Sequence, residues 1–311
     1  MAHTSPGKSE RQGITLMQLA DMFPDEDSAR NWFESRVWPN GRHCPRCQSD
    51  KTTDASHAKM PYWCSGCRQY FSVRTGTVLE RSKVSLRKWV YAIYLHLTSL
   101  KGVSSMKLHR DIGVSQKTAW FMLQRIREAF EDDDDGPFGG PVEVDETYIG
   151  GREKNKHASK KLNAGRGTVG KTAVVGAKDR ETGKVSVKVV ERVDRLTLHG
   201  FVSDTVALGA QLYTDEAVAY RGVRMRHTAV RHSVGEYVRD QAHTNGIESF
   251  WAMLKRGYVG TYHQISRKHL HRYVGEFAGR HGLREMDTVS QMGFVASAMV
   301  GKRLTYAELT A

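Results

Sequence analysis

The sequence predicts a multidomain chain: a cysteine-bearing module near the N-terminus, a helical segment, and a C-terminal α/β domain. Three observations carry this expectation. Four cysteines fall in two Cys-x-x-Cys pairs within residues 41–73. Apolar positions at helical spacing dominate residues 84–130. Beyond an acidic break, short β-rich runs are interleaved with helical ones, the signature of an α/β order. A chain of 311 residues is also long enough for two or three folding units.

Composition narrows the partners. Lys and Arg outnumber Asp and Glu by 47 to 34, a net charge of +13, and a chain this basic attracts polyanions, nucleic acid foremost. No run approaches the roughly 20 apolar residues that cross a bilayer. Residues 1–11 are polar and lack a signal-peptide core, so a reducing cytoplasm is expected. There, a set of four cysteines binds metal more readily than it forms disulfides.

Residues 1–40 read as a tail followed by two short helices. Leu16, Leu19, Ala20 and Phe23, then Ala29, Trp32 and Phe33, keep helical spacing on either side of the Pro24-Asp25 break. Residues 41–73 hold Cys44-Pro-Arg-Cys47 and Cys64-Ser-Gly-Cys67, with 16 residues between the knuckles. Tetrahedral zinc needs four soft ligands, and two tight turns facing each other supply them. The spacing is that of a zinc ribbon, with Tyr62-Trp63 and Tyr70-Phe71 as strand segments. A redox Cys-x-x-Cys would explain one pair but not both. Four thiolates close the coordination shell, so this zinc is structural.

Residues 84–130 contain a helix-turn-helix pattern. Met106, Leu108 and Ile112 supply the first helix's apolar contacts, Gly113 the turn, and Ser115 the N-cap of the second helix. Gln116, Lys117 and Thr118 then stand where a recognition helix meets base edges, with Arg125 and Arg127 further along for phosphates. His109 departs from the small residue usual at such a crossing, and an ordinary helical hairpin is the competing reading.

Residues 131–141, with Glu131 and four successive aspartates before Gly136-Pro137, read as a linker. In the following domain, strands are expected at 142–149, 172–177, 185–190 and 211–214, with a hairpin turn at Thr182-Gly183. Helices are expected at 196–208 and 246–258. Three carboxylates stand out within these elements. Asp145 interrupts the β-rich run Val142-Glu-Val-Asp-Glu-Thr-Tyr-Ile149, where a buried charge needs a partner such as a metal. Asp215 closes the fourth strand. Glu248 lies early in a helix whose stripe of Ile247, Phe250, Trp251, Leu254 and Tyr258 must face the core. Glu248 borders that stripe and is expected to point toward the sheet edge. Lys255, two turns on, shares its face. Hard Mg²⁺ or Mn²⁺ ions prefer such oxygen ligands, and a pair of them suits in-line attack on a phosphodiester. Glu146 and Glu216 are the neighbouring alternatives; strand alternation puts Asp145 and Glu146 on opposite faces, so only one of these two can join the cluster.

Together, Asp145-Glu-Thr-Tyr-Ile-Gly-Gly151, Tyr213-Thr-Asp-Glu216, His243-Thr-Asn-Gly-Ile-Glu-Ser-Phe-Trp251 and Leu254-Lys-Arg256 resemble the transposases of the IS1595 group of bacterial insertion sequences, with their ISXO2-like domain. The resemblance extends to the ribbon and to Ser115-Gln-Lys-Thr-Ala-Trp-Phe-Met122. It implies an RNase H-like DDE transposase domain at 142–288, with Asp145, Asp215 and Glu248 as the catalytic, magnesium-binding triad. Some relatives carry Asn in the third position, which leaves a role open for Asn245.

The resemblance further implies a nucleoid-associated bacterial enzyme that binds terminal inverted repeats, nicks DNA and joins the freed 3′ end to a target. It would act as a homodimer or larger assembly. The basic loop 152–171 holds seven Lys/Arg, including Lys160 and Lys161, against Glu153 alone, and with Lys255 and Arg256 is expected to hold DNA backbone. Residues 289–311 receive no assignment. The alternatives are a non-catalytic, degenerate or domesticated DNA-binding regulator, and a nuclease that cuts without joining.

Overall fold

The structure is a computed structural model that describes residues 13–131, 136–151, 157–162, 167–230 and 243–311. It divides into two compact units. One comprises Met1–Glu131 with Arg284–Ala311, and the other Asp132–Leu283. The C-terminal segment therefore belongs with the N-terminal unit, a return of the chain that no local sequence signal announced. No described helix is long and apolar enough to cross a membrane.

In the first unit, α1 (Leu16–Met22) and α2 (Glu26–Val37) are separated at Pro24. Thr15 and Asp25 form capping boxes that satisfy their first amides. Three short strands follow, β1 (Thr52–Asp54), β2 (Tyr62–Cys64) and β3 (Gln69–Phe71), antiparallel in the order β1-β2-β3. Next come α3 (Leu86–Thr98), α4 (Ser105–Ile112) and α5 (Gln116–Arg127).

Gly113 ends α4 in the left-handed region at φ 61°, where a Cβ would be strained. Ser115 caps α5 by accepting from the Thr118 amide. Leu108 and Ile112 are buried as expected, but Met106 is 47% exposed. With Leu108 and Ile112 four residues apart, α4 buries one narrow stripe, and Met106 lies outside it. After the second unit the chain returns as α9 (Thr288–Ala298), packed on α2 and α3, and as the short α10 (Tyr306–Thr310).

The second unit is a five-stranded mixed sheet. Its strands are β4 (Val142–Ile149), β5 (Thr172–Asp179), β6 (Val185–Val190), β7 (Gln211–Asp215) and β8 (Arg226–Val230), in the order β6-β5-β4-β7-β8. The β4-β5-β6 meander is antiparallel, whereas β7 runs parallel to both β4 and β8. Gly183, at φ 70°, turns the β5–β6 hairpin, as the Thr182-Gly183 pair predicts.

Helix α6 (Arg195–Thr205) covers one face over Val142, Val144, Val175 and Leu212. On the other face, α7 (Asn245–Gly257) and α8 (Leu270–Gly282) pack over Ile149, Val174 and Val185. With both faces covered, central β4 is buried along most of its length. Strand β8 escaped the sequence reading because Arg226-His-Thr-Ala-Val230 is an edge strand without a strong apolar alternation.

Candidate active site

The cysteines form the better-defined centre. Cys44 Sγ lies 3.6 Å from Cys67 Sγ and Cys47 Sγ 3.5 Å from Cys64 Sγ. All four sulfurs fall within 4.8 Å of one another. A disulfide would need about 2.05 Å. By contrast, a tetrahedron of 2.3 Å Zn–S bonds has edges of about 3.8 Å, so the donor set and its size both fit a zinc ion. A backbone amide at Cys67 lowers the Cys64 thiol to about 7, whereas burial pushes the Cys67 thiol up to about 12.

The carboxylates assemble from three elements. Asp145 sits on β4 opposite Gly176 of β5. The β4–β7 register pairs Glu143 with Tyr213, and continuing it by two residues sets Asp215 beside Asp145. Glu248 rises from the first turn of α7. Burial pushes the Asp145 carboxyl up to about 7, reinforced by the charges of Glu146, Asp215 and Glu248. Asp215 Oδ1 accepts from the Ala217 amide at 3.0 Å, and Glu248 Oε1 from the Thr244 hydroxyl at 2.8 Å. Glu248 is exposed, not turned away from water as its position beside the apolar stripe suggested. Among the described residues the cysteine quartet is the group of metal-ligating side chains within 4.8 Å of one another; the three carboxylates stand further apart.

Alternation separates the two acids of the Asp145-Glu146 pair. Odd positions of β4 face α7, while Glu146 accepts from the Tyr220 hydroxyl at 2.9 Å on the α6 side. Burial raises Glu146 as well and raises Tyr220 well above its usual value. Glu216 is exposed.

Sequence reasoning missed Glu143. It is 1% exposed and accepts from Arg180 Nε at 2.7 Å and from the Ile247 amide at 2.8 Å. Arg180 also donates to the His243 carbonyl, and Lys178 to the Gly246 carbonyl at 3.3 Å. A Cβ on Gly246 would stand 2.8 Å from Glu143 Oε2, so only glycine lets the chain pass there. This buried network fastens the start of α7, and therefore Glu248, to the strand bearing Asp145. Strand alternation, applied to Glu143 as it was to Glu146, would have put Glu143 and Asp145 on one face.

Lys255 is exposed and, with Glu146, Lys171, Tyr258 and His263, lines a groove of about 830 Å³ at the end of β4. Arg256, Lys161 and Asn245 are exposed. Lys160 closes a short 3-10 turn, whereas 152–156 and 163–166 of the expected DNA-holding loop lie outside the described residues. On α5, Gln116 and Lys117 are exposed and Thr118 is half-buried. Gln116 Nε2 donates to Ser105 Oγ at 2.8 Å, and Lys117 Nζ lies 4.5 Å over the Tyr306 ring.

The expectation for Arg125 is corrected. Arg125 is 8% exposed and donates to the carbonyls of Leu304 and Glu80 at 3.3 and 3.2 Å. Arg127 is 1% exposed. Both lie on the side of α5 that packs inward, with only an edge of Arg125 reaching the groove between the turn before α3 and the start of α5.

Known proteins match both parts of this arrangement. Residues 137–281 match the ISXO2-like transposase domain, and residues 24–70 a transposase zinc-ribbon domain of the IS1595 group. A protein of the transposable element ISH50 of Halobacterium salinarum is 31% identical over 272 residues, 82% of this chain and 90% of that protein. The chain belongs to the IS1595 family of ISXO2-like transposases. Among solved structures, a chain of the simian T-cell lymphotropic virus intasome in complex with PP2A regulatory subunit B56 gamma has a TM-score of 0.29 at 14% identity. That match covers 61% of this transposase-family chain and 65% of the other, just under two thirds of its length. The ribbon cysteines of this ISXO2-like transposase are thus its zinc-ribbon knuckles, and Asp145, Asp215 and Glu248 all fall inside its transposase domain.

Proposed function

We propose that the protein is a DDE-type DNA transposase that binds the terminal inverted repeats of its insertion sequence and performs metal-dependent strand cleavage and strand transfer at Asp145, Asp215 and Glu248. The observation that carries this reading is the electrostatic state of Asp145. Burial and the neighbouring charges of Glu146, Asp215 and Glu248 push its carboxyl up to about 7, a crowding of acids that hard divalent ions would relieve. The sheet order β6-β5-β4-β7-β8, with an antiparallel meander and two parallel strands, supports an RNase H-like reading of the domain.

Asp145, Asp215 and Glu248 would hold the ions. Bound there, a pair of Mg²⁺ or Mn²⁺ ions supplies activation of the attacking oxygen and stabilisation of the leaving oxygen in an in-line phosphodiester displacement. The chain's own groups position the rest. The amide of Ala217 orients the Asp215 carboxylate, the Thr244 hydroxyl orients Glu248, and the Glu143 network fixes α7 against β4. Lys255, Arg256, Lys160 and Lys161 would contact the DNA backbone, making binding steeply salt-dependent. In the first unit, α4 and α5 act as a helix-turn-helix, Gln116, Lys117 and Thr118 reading base edges, and the ribbon zinc holds its module folded. Two element ends must meet, so a dimer or larger assembly forms on DNA.

A joining assay tests the reading: purified protein, a DNA fragment with the flanking ends of the element, a target plasmid, and Mg²⁺ or Mn²⁺. Joined product that requires metal and vanishes in Asp215→Ala is expected. Cleavage without joining would instead indicate a nuclease. Tight binding of the ends with no cleavage in either metal would leave a DNA-binding regulator.

A further inference from the structure

The turn that precedes α3 is held with unusual firmness for an exposed segment. Arg74 Nη1 donates to the carbonyls of Ser82 and Val84 at 2.9 and 2.6 Å. The indole of Trp89 donates to Ser82 Oγ at 3.1 Å, and Arg125 Nη2 to the Glu80 carbonyl at 3.2 Å. The two ring and guanidinium donors Trp89 and Arg125 are themselves buried. Within this frame Arg81 is forced to φ 59°, a left-handed conformation that a long L-residue rarely adopts and that persists only where surroundings impose it.

What the frame displays is charge. Arg81 and Lys83 are exposed, and with Lys88 they line one groove of about 610 Å³ whose opposite wall is Ser115 and Thr118 at the start of α5. Among the described residues no acid lines that groove. Glu80, the neighbouring carboxylate, is occupied by the Gly76 amide at 3.2 Å. Lys88 reaches across to the Gly113 carbonyl at 2.8 Å, tying the turn between α4 and α5 to α3. The positive end of a 12-residue helix therefore opens onto a groove lined by four cations, Arg81, Lys83, Lys88 and the largely buried Arg125, and held in shape before any ligand arrives.

We propose that Arg81 and Lys83 form a preformed phosphate-backbone clamp for duplex DNA, gripping the strand that flanks the bases met by α5. This rests on reading α5 as the DNA-reading helix. Contacts of this kind fix register and add affinity without sequence preference. Holding the backbone that carries Arg81 and Lys83 in advance removes part of the ordering cost of binding. The clamp also gives the largely buried Arg125 a role: from the groove wall it holds the turn in shape through the Glu80 carbonyl.

The test is a fluorescence-anisotropy titration of the zinc-loaded full chain with a short duplex of random sequence, repeated across KCl concentrations. Each phosphate contact contributes about 0.9 to the slope of log K against log salt. Arg81→Ala with Lys83→Ala should make that slope shallower by about 1.8, equivalent to about 60-fold weaker binding at 0.1 M salt relative to a common 1 M reference. Exchanging the two residues, Arg81→Lys with Lys83→Arg, should restore the slope, and Lys101→Ala, an exposed cation outside the groove, should leave it unchanged. A wild-type slope in the double alanine variant, while Gln116→Ala with Lys117→Ala weakens binding, would overturn the clamp and leave the helix reading standing. Failure of the wild-type chain to bind any duplex at low salt would overturn both.

Discussion

Replacing Asp145 by asparagine should stabilise the metal-free protein while abolishing strand transfer. Asp145 carries an ordinary carboxyl value of 3.8 when unfolded and about 7 when folded. Well below pH 3.8 both states hold the proton and the residue is neutral in its effect. As pH rises toward 7 the unfolded chain releases its proton first, and the folded state loses stability at about 1.36 kcal/mol per pH unit. Above pH 7 the accumulated penalty is about 4 kcal/mol, and an uncharged asparagine of the same shape escapes it.

In a unit of this size that corresponds to a rise of roughly 8–16 °C in melting temperature. Differential scanning calorimetry of wild type and Asp145→Asn in chelator too weak to strip the ribbon zinc, at pH 5 and pH 8, makes the comparison. The gap should be about 1.6 kcal/mol at pH 5 and about 4 kcal/mol at pH 8. Added Mg²⁺ should raise the melting temperature of the wild type at pH 8 and act far less on the variant. A variant no more stable than wild type at pH 8, or an identical gap at both pH values, would refute the argument that burial and neighbouring acids strain this carboxyl.

Three further outcomes follow from the same structure. Cys64→Ser should reduce bound zinc, measured by elemental analysis, from one ion per chain toward none, with proteolysis opening within residues 41–73. Arg125→Met should lower stability by about 1–3 kcal/mol in urea unfolding, because it strips donors from the Glu80 and Leu304 carbonyls. It should nevertheless leave the salt slope of DNA binding unchanged, whereas a loss of about 0.9 would mean that Arg125 touches phosphate. Glu143→Ala, which takes the carboxylate from beside Arg180 and the Ile247 amide, should cost about 3–5 kcal/mol and strand transfer with it. Glu143→Gln retains an acceptor and should recover most of the stability.

How far the sequence carried this reading differed by element for physical reasons. The ribbon was legible because metal chemistry fixes residue type and spacing within a short stretch. Strand β4, the β5–β6 hairpin and α7 were legible because local periodicity and a Thr-Gly turn dictate them. The face of α5 was not. Arg125 and Arg127 look like phosphate ligands in a basic chain, and only the return of the C-terminal segment, which brings the Leu304 carbonyl to Arg125, reveals that the helix is covered on that side. That covering comes from Arg284–Ala311, more than 150 residues downstream of α5, a distance at which periodicity says nothing. Glu143 failed for a related reason. Its strand position was readable, but its partners Arg180, Ile247 and the His243 carbonyl meet only once β5 and α7 pack on β4.

The two errors share a cause that bears on how this site is built. If Glu248 serves as proposed, an exposed carboxylate on a separate helix works only when something else fixes the helix that carries it. Here the fixing group is a second acid, Glu143, two residues before Asp145 on the same face of the same strand. Its charge is answered by Arg180 Nε, so it braces α7 without competing for a cation, while burial and the neighbouring acids push the Asp145 carboxyl up to about 7. Gly176 completes the division: a Cβ there would stand 2.7 Å from the Trp251 ring, so its absence lets α7 lie close against the sheet. Gly176→Ala should therefore push α7 outward, costing about 1–3 kcal/mol from overpacking. It should reduce strand transfer more than DNA binding, since only the former depends on where Glu248 stands. Equal losses in both would mean that α7 positions DNA and not the carboxylate.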